Sequence, residues 1–580
     1  MAVFRRLLGF LRPYRGAVAL SALLSALATG MTVGIPWLTG RAVDAVEDGA
    51  RGELTTIAVA VGVAGVLRLG LTVARRLVAG RVSLGVEVDL RERLHTHLLG
   101  LELAFFDRQQ TGQLMSRATV DLQSVRFFLG YGLVFILQSA LTIALAAVAM
   151  IFIQPGLAAI ALAPVPFVVW VSFRYGRRAR PALQEVQQRL GELTADVEEN
   201  VSGVRVVKAF AREARQYGRF EHSVGRVFTQ SMVSTRLRAF YNPFLGFLPQ
   251  IGLAALLLIG GRQVVGGSLS LGDFTAFYTL LLMLIGPMRS LGVMLGMAQR
   301  ATASGARVFE LLDRAPGMAL ADPPQALPRD GGGRLELRDV TLRYEGASRP
   351  ALRGLDLDVA PGTTLALVGA TGAGKTSLVS LLSRLYEPEE GAVLVDGVDV
   401  REVDPTALRG QIAVVDDAPF LFSATVAQNI AYARPEATRE EVEAAARRAQ
   451  ADGFVRELPD GYDTKVGERG LTLSGGQRQR LAIARALVTD PRVLVLDDAT
   501  SSVDASTEQE IKAALREVME GRTTVIIAHR LSTIALADTI AVLEDGRIAA
   551  RGDHAALLAA SPLYREIVQT ELAGRDQVAA

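Results

Sequence analysis

The sequence predicts a multidomain membrane protein, with an all-α transmembrane domain followed by a soluble α/β domain. Three observations predict it. The chain has 580 residues, too many for one compact unit at about 100–200 residues per domain. Long apolar stretches are confined to residues 16–300, whereas residues 330–580 have the mixed composition of a soluble domain. In that second part, a glycine-rich motif lies between an apolar strand and a helix, which is typical of phosphate-binding proteins.

Composition excludes several classes of function. The chain carries 62 Lys and Arg against 60 Asp and Glu, a formal net charge of +2, so no broad nucleic-acid-binding surface is expected. Half of the residues are hydrophobic, which supplies enough apolar surface to fold and argues against disorder. Cysteine is absent, which excludes disulfides, thiolate metal sites and cysteine nucleophiles.

Six segments are long and apolar enough to cross a bilayer, whose core of about 30 Å needs roughly 20 residues of helix. Residues 141–152, for example, carry no charge, whereas a soluble helix of that length would have a polar face. The segments lie near residues 16–39, 54–78, 127–153, 156–178, 239–262 and 271–297. They predict a six-helix transmembrane domain over residues 16–315 in contact with lipid.

Charge along the chain predicts the orientation. Arginines cluster before the first span, after the second and after the fourth, whereas the connection after the first span is acidic. The positive-inside rule therefore predicts that both termini are cytoplasmic and that the protein lies in the inner (cytoplasmic) membrane. Residues 1–15 fit a basic amphipathic helix along the inner surface, or simply the charged end of the first span.

The connections on the inner side, residues 79–126 and 179–238, are long and have the sequence pattern of helices. Such connections are expected in a transporter whose membrane helices contact a soluble ATPase domain, although a receptor or channel could share this feature.

The soluble domain is expected over residues 334–580, after a Pro- and Gly-rich linker at residues 316–333. Its strand at residues 365–368 leads into GATGAGKT, which matches the P-loop of NTPases in its required context. The glycines let backbone amides point at phosphate oxygens, Lys375 supplies a charge for the β- and γ-phosphates, and the Thr376 hydroxyl can bind Mg²⁺. The predicted phosphate-binding residues are Gly369, Ala370, Thr371, Gly372, Ala373, Gly374, Lys375, Thr376 and Ser377.

Two further strands end in residues suited to nucleotide chemistry. Residues 493–496 form a buried strand that runs into Asp497, a candidate Mg²⁺ carboxylate that would act through water because Mg²⁺ dehydrates reluctantly. His529 follows the strand at residues 524–528 and could sense the γ-phosphate, although a histidine at a strand end is unremarkable by itself. ATP and Mg²⁺ are therefore the predicted ligands.

Between these motifs lies LSGGQ, residues 473–477, followed by RQRLAIARAL. This combination resembles the ATP-binding-cassette (ABC) family, and six spans followed by one cassette are similar to its half-size exporters. The P-loop, the LSGGQ signature, the Asp497 strand (Walker B) and His529 occur in the family's order and spacing. The resemblance covers nearly the whole chain.

The resemblance implies that two cassettes pair head to tail around two ATP molecules, each site combining one chain's P-loop with the other's signature. Tyr344 matches the aromatic residue that stacks on adenine, and Asp504 matches the D-loop aspartate. The residues that would close over the opposite nucleotide are Ser474, Gly475, Gly476 and Gln477. Residues 464–470 resemble a loop specific to exporters, and residues 105–121 and 204–213 resemble the two coupling-helix regions.

Two positions depart from the family pattern. Asp498 stands where the family has the glutamate that polarises the attacking water. A carboxylate displaced by about 1 Å can slow a reaction roughly 100-fold. Asp417 stands where the family has a glutamine that helps to position Mg²⁺. Both departures affect the site of the chain's own P-loop, while its signature is intact.

The sequence therefore predicts an ATPase-coupled transporter (a translocase) that exports a small molecule, lipid or peptide by alternating access. It would be one half of a heterodimer that hydrolyses ATP mainly at the partner's P-loop, in a site that this chain's LSGGQ completes. The site on its own P-loop would be degenerate, with Asp498 and His529 as the catalytic candidates. Three alternatives stay open: a homodimer with slow hydrolysis at Asp498, an exporter-fold siderophore importer, and a regulator that gates a channel. The intact coupling segments argue against the last.

Overall fold

The computed structural model describes residues 2–467, 470, 473–498, 513 and 515–569. The chain divides into two compact units, one formed by Met1–Leu99 and Thr111–Arg314 and the other by Gly100–Gln110 and Ala315–Ala580. The short segment Gly100–Gln110 thus interrupts the first unit in sequence but packs with the second.

The first unit is helical throughout its described residues. In chain order the helices up to residue 312 are α1 (Ala2–Gly9), α2 (Arg15–Glu47), α3 (Arg51–Leu99), α4 (Leu103–Arg108), α5 (Thr111–Ile153), α6 (Pro155–Leu162), α7 (Pro164–Ser202), α8 (Val204–Ala209), α9 (Glu213–Val265) and α10 (Leu271–Leu312), of which α4 belongs to the second unit. The fourth predicted span is divided at Ala163 between α6 and α7, although Ala163 itself keeps helical backbone angles; Pro164 has no N–H, so one backbone hydrogen bond of the helix is missing at this point.

Among the described residues of this unit, five helical stretches are long and apolar enough to cross a membrane, namely residues 12–47, 51–99, 111–153, 155–202 and 213–265. A sixth apolar stretch, Leu271–Pro287, is shorter, about 25 Å at 1.5 Å per residue. In the most apolar 18-residue segment of α3 only 6% of the residues are buried, which is expected of a helix whose side chains face lipid. All six predicted spans lie within these helices, and a helical transmembrane domain is confirmed.

Helices α2 and α10 approach closely where both carry glycine. A methyl group on Gly40 would lie 2.4 Å from the carbonyl oxygen of Gly272, so a larger side chain cannot fit there. The carboxylate of Asp44 accepts hydrogen bonds from the Gly272 amide (2.7 Å) and the Ser270 hydroxyl (3.0 Å). The end of α2 therefore caps the start of α10.

Polar contacts hold the helices together beyond their apolar stretches. In the α7–α9 pair, Asp196 accepts hydrogen bonds from Ser223 (2.6 Å) and Arg219 (3.1 Å). The predicted N-terminal helix is shorter than expected, because α1 ends at Gly9 and a separate turn covers Arg12–Tyr14. Arg6 of α1 forms an ion pair with Asp313 at the end of α10 (2.5 Å).

The second unit contains two sheets. A four-stranded antiparallel sheet has the order β2-β1-β4-β5, and a six-stranded sheet has the order β10-β9-β3-β8-β7-β6, in which only β10 is antiparallel. The strands are β1 (Leu335–Leu342), β2 (Leu352–Val359), β3 (Thr364–Val368), β4 (Glu390–Val395), β5 (Val398–Asp399), β6 (Ile412–Val415), β7 (Val493–Asp497), β8 (Thr523–Ile527), β9 (Thr539–Glu544) and β10 (Arg547–Gly552).

In addition to α4, helices lie between and after these strands in the described part of the second unit. They are α11 (Lys375–Leu382), α12 (Pro405–Gln411), α13 (Val426–Ile430), α14 (Arg439–Arg448), α15 (Asp452–Glu457), α16 (Gly475–Leu487), α17 (Leu531–Ile534) and α18 (His554–Ala560). Every residue of β3 and β8 is buried, as expected for central parallel strands covered on both faces. Since β3, β6, β7 and β8 are parallel, the segments that follow them meet at one edge of the sheet, where such folds bind ligands.

Candidate functional site

The loop after β3 is shaped by glycines. A methyl group on Gly369 would lie 2.3 Å from the carbonyl oxygen of Leu543 on the neighbouring β9, so only glycine fits between the two strands. Gly372 has a φ of +85°, in the left-handed region that other residues rarely adopt. The loop then enters α11, which begins at Lys375 and ends at Leu382.

Lys375 is held over this loop. Its side chain is buried, and the ammonium group donates hydrogen bonds to the carbonyl oxygens of Gly369 (2.8 Å) and Ala370 (3.1 Å). Burial lowers the pKa of Lys375, although Asp497 and Asp498 act in the opposite direction. A phosphate placed on the loop would meet this ammonium group and the positive end of α11, so the residues present fit a nucleotide phosphate.

The two predicted Mg²⁺ ligands come together from different strands. The Thr376 hydroxyl lies 3.5 Å from a carboxylate oxygen of Asp497, at the end of β7. Burial raises the pKa of Asp497, and repulsion from Asp417, Asp416 and Asp498 raises it further. In the described part of the chain, no three His, Asp or Glu side chains could hold a metal by themselves. Mg²⁺ fits this pair if nucleotide and water oxygens complete its shell.

Asp498 has an unusual position. Its φ is +39°, and its amide donates to the Ile527 carbonyl of β8 (3.1 Å). One carboxyl oxygen is buried and has no hydrogen-bond partner among the described residues. Burial raises the pKa of Asp498, while His529 and Arg530 lower it. An unpartnered buried oxygen is costly, so the site disfavours the ionised form of this carboxyl group relative to a carboxyl group in water.

His529 and Asp417 face the same sheet edge from β8 and β6. Both side chains are exposed, and both influence the pKa of Asp497 and Asp498. Asp416, next to Asp417, is a member of the cluster that the sequence analysis missed. Its pKa is raised by loss of solvation and by repulsion from Asp417, and its backbone carbonyl accepts a hydrogen bond from Gln479 of α16 (3.1 Å). The sequence could have indicated Asp416 as a member of this cluster, because it is adjacent to Asp417.

Tyr344 lies beside the phosphate loop. Its hydroxyl donates to that of Ser377 in α11 (2.9 Å), and its ring meets the Tyr386 ring edge-on at 5.0 Å. The Tyr386 hydroxyl donates to Asp107 of α4, and the adjacent Arg108 forms an ion pair with Glu345. Helix α4, in the first predicted coupling region, is therefore linked through Tyr386 to the predicted adenine-stacking residue. No sequence motif indicates Tyr386.

The LSGGQ residues form a separate group. Ser474 caps α16: its hydroxyl accepts from the Gln477 amide (3.3 Å), and the Gln477 side chain accepts from the Ser474 amide (2.9 Å). Gly475 and Gly476 form the first turn of this helix. Across the described residues, no hydrogen bond joins this group to the chain's own phosphate loop. Asp504 and parts of the 464–470 loop lie outside the described residues.

Two family models match the chain, one described as ABC transporter transmembrane region over residues 18–288 and one as ABC transporter over residues 352–501. An uncharacterized ABC transporter ATP-binding protein of Bacillus subtilis is 36% identical over 98% of this chain and 97% of its own length. An ATP-dependent lipid A-core flippase of Syntrophus aciditrophicus is 35% identical over 98% and 95%. A multidrug efflux ATP-binding/permease protein of Mycobacterium bovis is 39% identical over 97% of this chain but only 47% of its own length.

A solved structure of a bacterial Atm1-family ABC exporter with ATP bound has the same fold. It superposes with a TM-score of 0.79 at 32% identity, and the match covers 96% of this chain and 98% of that one.

Proposed function

Since this chain belongs to the ABC transporter family and is a multi-pass exporter whose ATP-binding domain drives transport, we propose that it is the degenerate-site half of a heterodimer. In this proposal its signature, Ser474–Gly475–Gly476–Gln477, completes the hydrolytic site on the P-loop of a different half-transporter. Half-transporters of this family dimerise, and the multidrug efflux relative leaves about half of its length unmatched, which is room for a second half.

Different residues in and around the phosphate loop would hold different parts of the nucleotide. Lys375 would exchange its two carbonyl partners for phosphate oxygens, Thr376 and Asp497 would hold Mg²⁺, and Tyr344 would stack on adenine. Bound ATP supplies the free energy of closure and of phosphoryl transfer. Closure of two cassettes would act on the helices through residues 105–121 and 204–213 and switch the transport path between its two openings.

The position of Asp498 carries the proposal that this site hydrolyses ATP slowly. A water-polarising base must be ionised and within hydrogen-bond reach of the water. The Asp498 carboxyl is one methylene shorter than the glutamate of the family, is partly buried, and has its pKa raised by that burial. Asp417, in place of a neutral glutamine, adds negative charge beside Asp497 and Asp498. Because a raised pKa does not by itself weaken an ionised carboxylate as a base, what supports slow hydrolysis is the shorter reach of Asp498, which would misplace the attacking water.

We further infer the membrane in which the protein lies and the direction in which it transports its substrate. The arginines at the ends of the spans support cytoplasmic termini in an inner membrane. The relatives support export of a lipid or of a small molecule, since one is named as a lipid A-core flippase and another as a multidrug efflux protein. Peptides belong to the same proposal, as one class of exported substrate.

The test compares ATP hydrolysis by the purified chain alone in lipid with that of Asp498→Glu, using Lys375→Ala as the nucleotide-binding control. Both the wild type and Asp498→Glu are expected to bind ATP and to hydrolyse it no faster than the control, because the competent site needs a different partner. A slow wild-type rate that rises on the order of 100-fold with glutamate would indicate a homodimer instead. A fast wild-type rate would refute the degenerate site.

A further inference from the structure

A cavity of about 610 Å³ opens between α7, α9 and α10 of the first unit. Three arginines line it, Arg180 from α7, Arg238 from α9 and Arg300 from α10. The three-arginine cavity, as we call it, therefore receives one positive charge from each of three helices. Its remaining lining is polar or apolar and includes no aspartate or glutamate.

The charge of this cavity is not neutralised from within the described protein. Other arginines of the same unit are paired with acids, such as Arg219 with Asp196 and Arg226 with Glu192. Among the described residues, none of the three cavity arginines forms an ion pair with a carboxylate. Like charges brought together in a concave site repel one another and attract an anion. The cavity therefore selects for negative charge.

Apolar surface lies beside the three charges. Leu183 and Val293 line the cavity with 42% and 56% of their surfaces exposed, and Leu245 adds to this wall. Tyr175 also lines it and is held by stacking on Tyr241 at 5.1 Å. An occupant with both an anionic group and a hydrocarbon portion would satisfy the arginines and cover this apolar surface at the same time.

The cavity lies where the helices change from apolar to charged. Arg180 comes just after the apolar stretch that ends near residue 178, Arg238 just before the one that begins near 239, and Arg300 just after the one that ends near 297. This is the level of the membrane–water interface, where lipid head groups lie. An amphiphile in the bilayer would thus bring its head to the arginines while its tail stays among apolar side chains.

We propose that the three-arginine cavity binds an amphipathic anion as the cargo that the exporter takes up, with a phosphate, sulfate or carboxylate group held by Arg180, Arg238 and Arg300. Guanidinium groups suit this task because they form paired hydrogen bonds to such groups and stay charged. The inference rests on the proposed export function, which it deepens by naming a substrate class. The shared chemistry is the anionic group, which a membrane amphiphile or a soluble phosphate could supply.

The test measures equilibrium binding to the full chain in nanodiscs of neutral phosphatidylcholine, without nucleotide. Radiolabelled dodecyl phosphate is the probe, dodecylphosphocholine is a zwitterionic competitor with the same tail, and inorganic phosphate is an anion without a tail. The variants are Arg180→Gln, Arg238→Gln and Arg300→Gln. Arg177→Gln is the matched control, because Arg177 is an exposed arginine of α7 that does not line the cavity.

Saturable binding of dodecyl phosphate is expected, at least about tenfold tighter than that of dodecylphosphocholine and weakened about tenfold by each cavity variant but not by Arg177→Gln. Equal binding of the zwitterion would overturn the proposal, and so would an equal loss in the control, which would indicate diffuse surface charge. Competition by inorganic phosphate at similar concentration would show that the site takes soluble anions. Because binding needs neither ATP nor a partner chain, this test is independent of the ATPase test: a fast wild-type ATPase rate would refute the proposed degenerate-site half and leave this site standing.

Discussion

Replacing Gly369 by alanine is expected to abolish ATP binding by displacing the phosphate loop. The added methyl group would lie 2.3 Å from the carbonyl oxygen of Leu543, whereas ordinary contact begins at 3.4 Å. The oxygen belongs to the backbone of β9, which is paired with β3, so the neighbour cannot rotate away as a side chain would. The loop must therefore move by about 1.1 Å relative to the strand, the difference between these two distances.

The size of this displacement determines how much affinity for ATP is lost. Backbone amides that contact a phosphate at about 2.9 Å would be left near 4 Å, beyond hydrogen-bond distance. Each hydrogen bond to a charged group contributes about 1.5–3 kcal/mol, so the loss of two costs at least about 3 kcal/mol, on the order of 100-fold in affinity. Gly372→Ala is the matched control. Its methyl group meets nothing within 4 Å, and left-handed strain of about 1–2 kcal/mol acts on the free and bound loop alike.

The assay is calorimetric titration of the purified chain in lipid with Mg²⁺ and ATP, alongside thermal unfolding to verify that each variant is folded. Gly369→Ala is expected to lose at least about 100-fold in affinity and Gly372→Ala no more than about tenfold. Equal affinity of Gly369→Ala and the wild type would refute the argument that backbone crowding fixes this loop.

Three further outcomes are expected. Tyr386→Phe removes the hydrogen bond to Asp107 and should leave ATP affinity unchanged while speeding amide hydrogen exchange in α4; unchanged exchange there would contradict the link from Tyr386 to α4. The pKa of Asp497 is raised in the folded chain, so protonation of this group favours folding, and its contribution to stability should grow as pH falls toward the ordinary carboxyl pKa of about 4; Asp497→Asn should diminish this pH dependence in thermal unfolding. Arg384→Met removes a buried guanidinium that donates to the Ala319 carbonyl (2.6 Å) and to Glu387, and should destabilise the second unit by about 3–5 kcal/mol in denaturant unfolding; a change below 1 kcal/mol would contradict this.

The strands that carry the site were predictable because their signals are local. Residues 365–368 and 493–496 are short apolar runs that end in the motif itself, and the observed strands Thr364–Val368 and Val493–Asp497 differ from them by one residue. The contact between Tyr386 and Asp107 was not predictable, since the two residues are 279 positions apart and Tyr386, unlike Asp107 of the first predicted coupling region, belongs to no recognised motif. Long-range packing of this kind leaves no periodic pattern in either segment.

Helix ends in the first unit show a second limit. The apolar stretch at residues 54–78 marks only the part of α3 that needs to be apolar, whereas the helix covers Arg51–Leu99. Backbone hydrogen bonding continues past the apolar part because residues 79–99 contain no proline, and their arginines, glutamates and leucines favour helix enough to outweigh Gly80 and Gly85. Hydropathy therefore locates spans better than it locates helices.

The unbroken length of α9 has a mechanical consequence. Its 53 residues extend over about 80 Å, so a rotation of about 5° at one end carries the other end through about 7 Å. Pro243 and Pro249 each remove a backbone hydrogen bond, which concentrates bending in the apolar part and leaves the Glu213 end stiff. The helix thus acts as a stiff lever from Glu213 up to its prolines, where bending absorbs part of a motion that starts near residue 213, so that less than the full displacement of a rigid rod reaches the residues beyond Pro249.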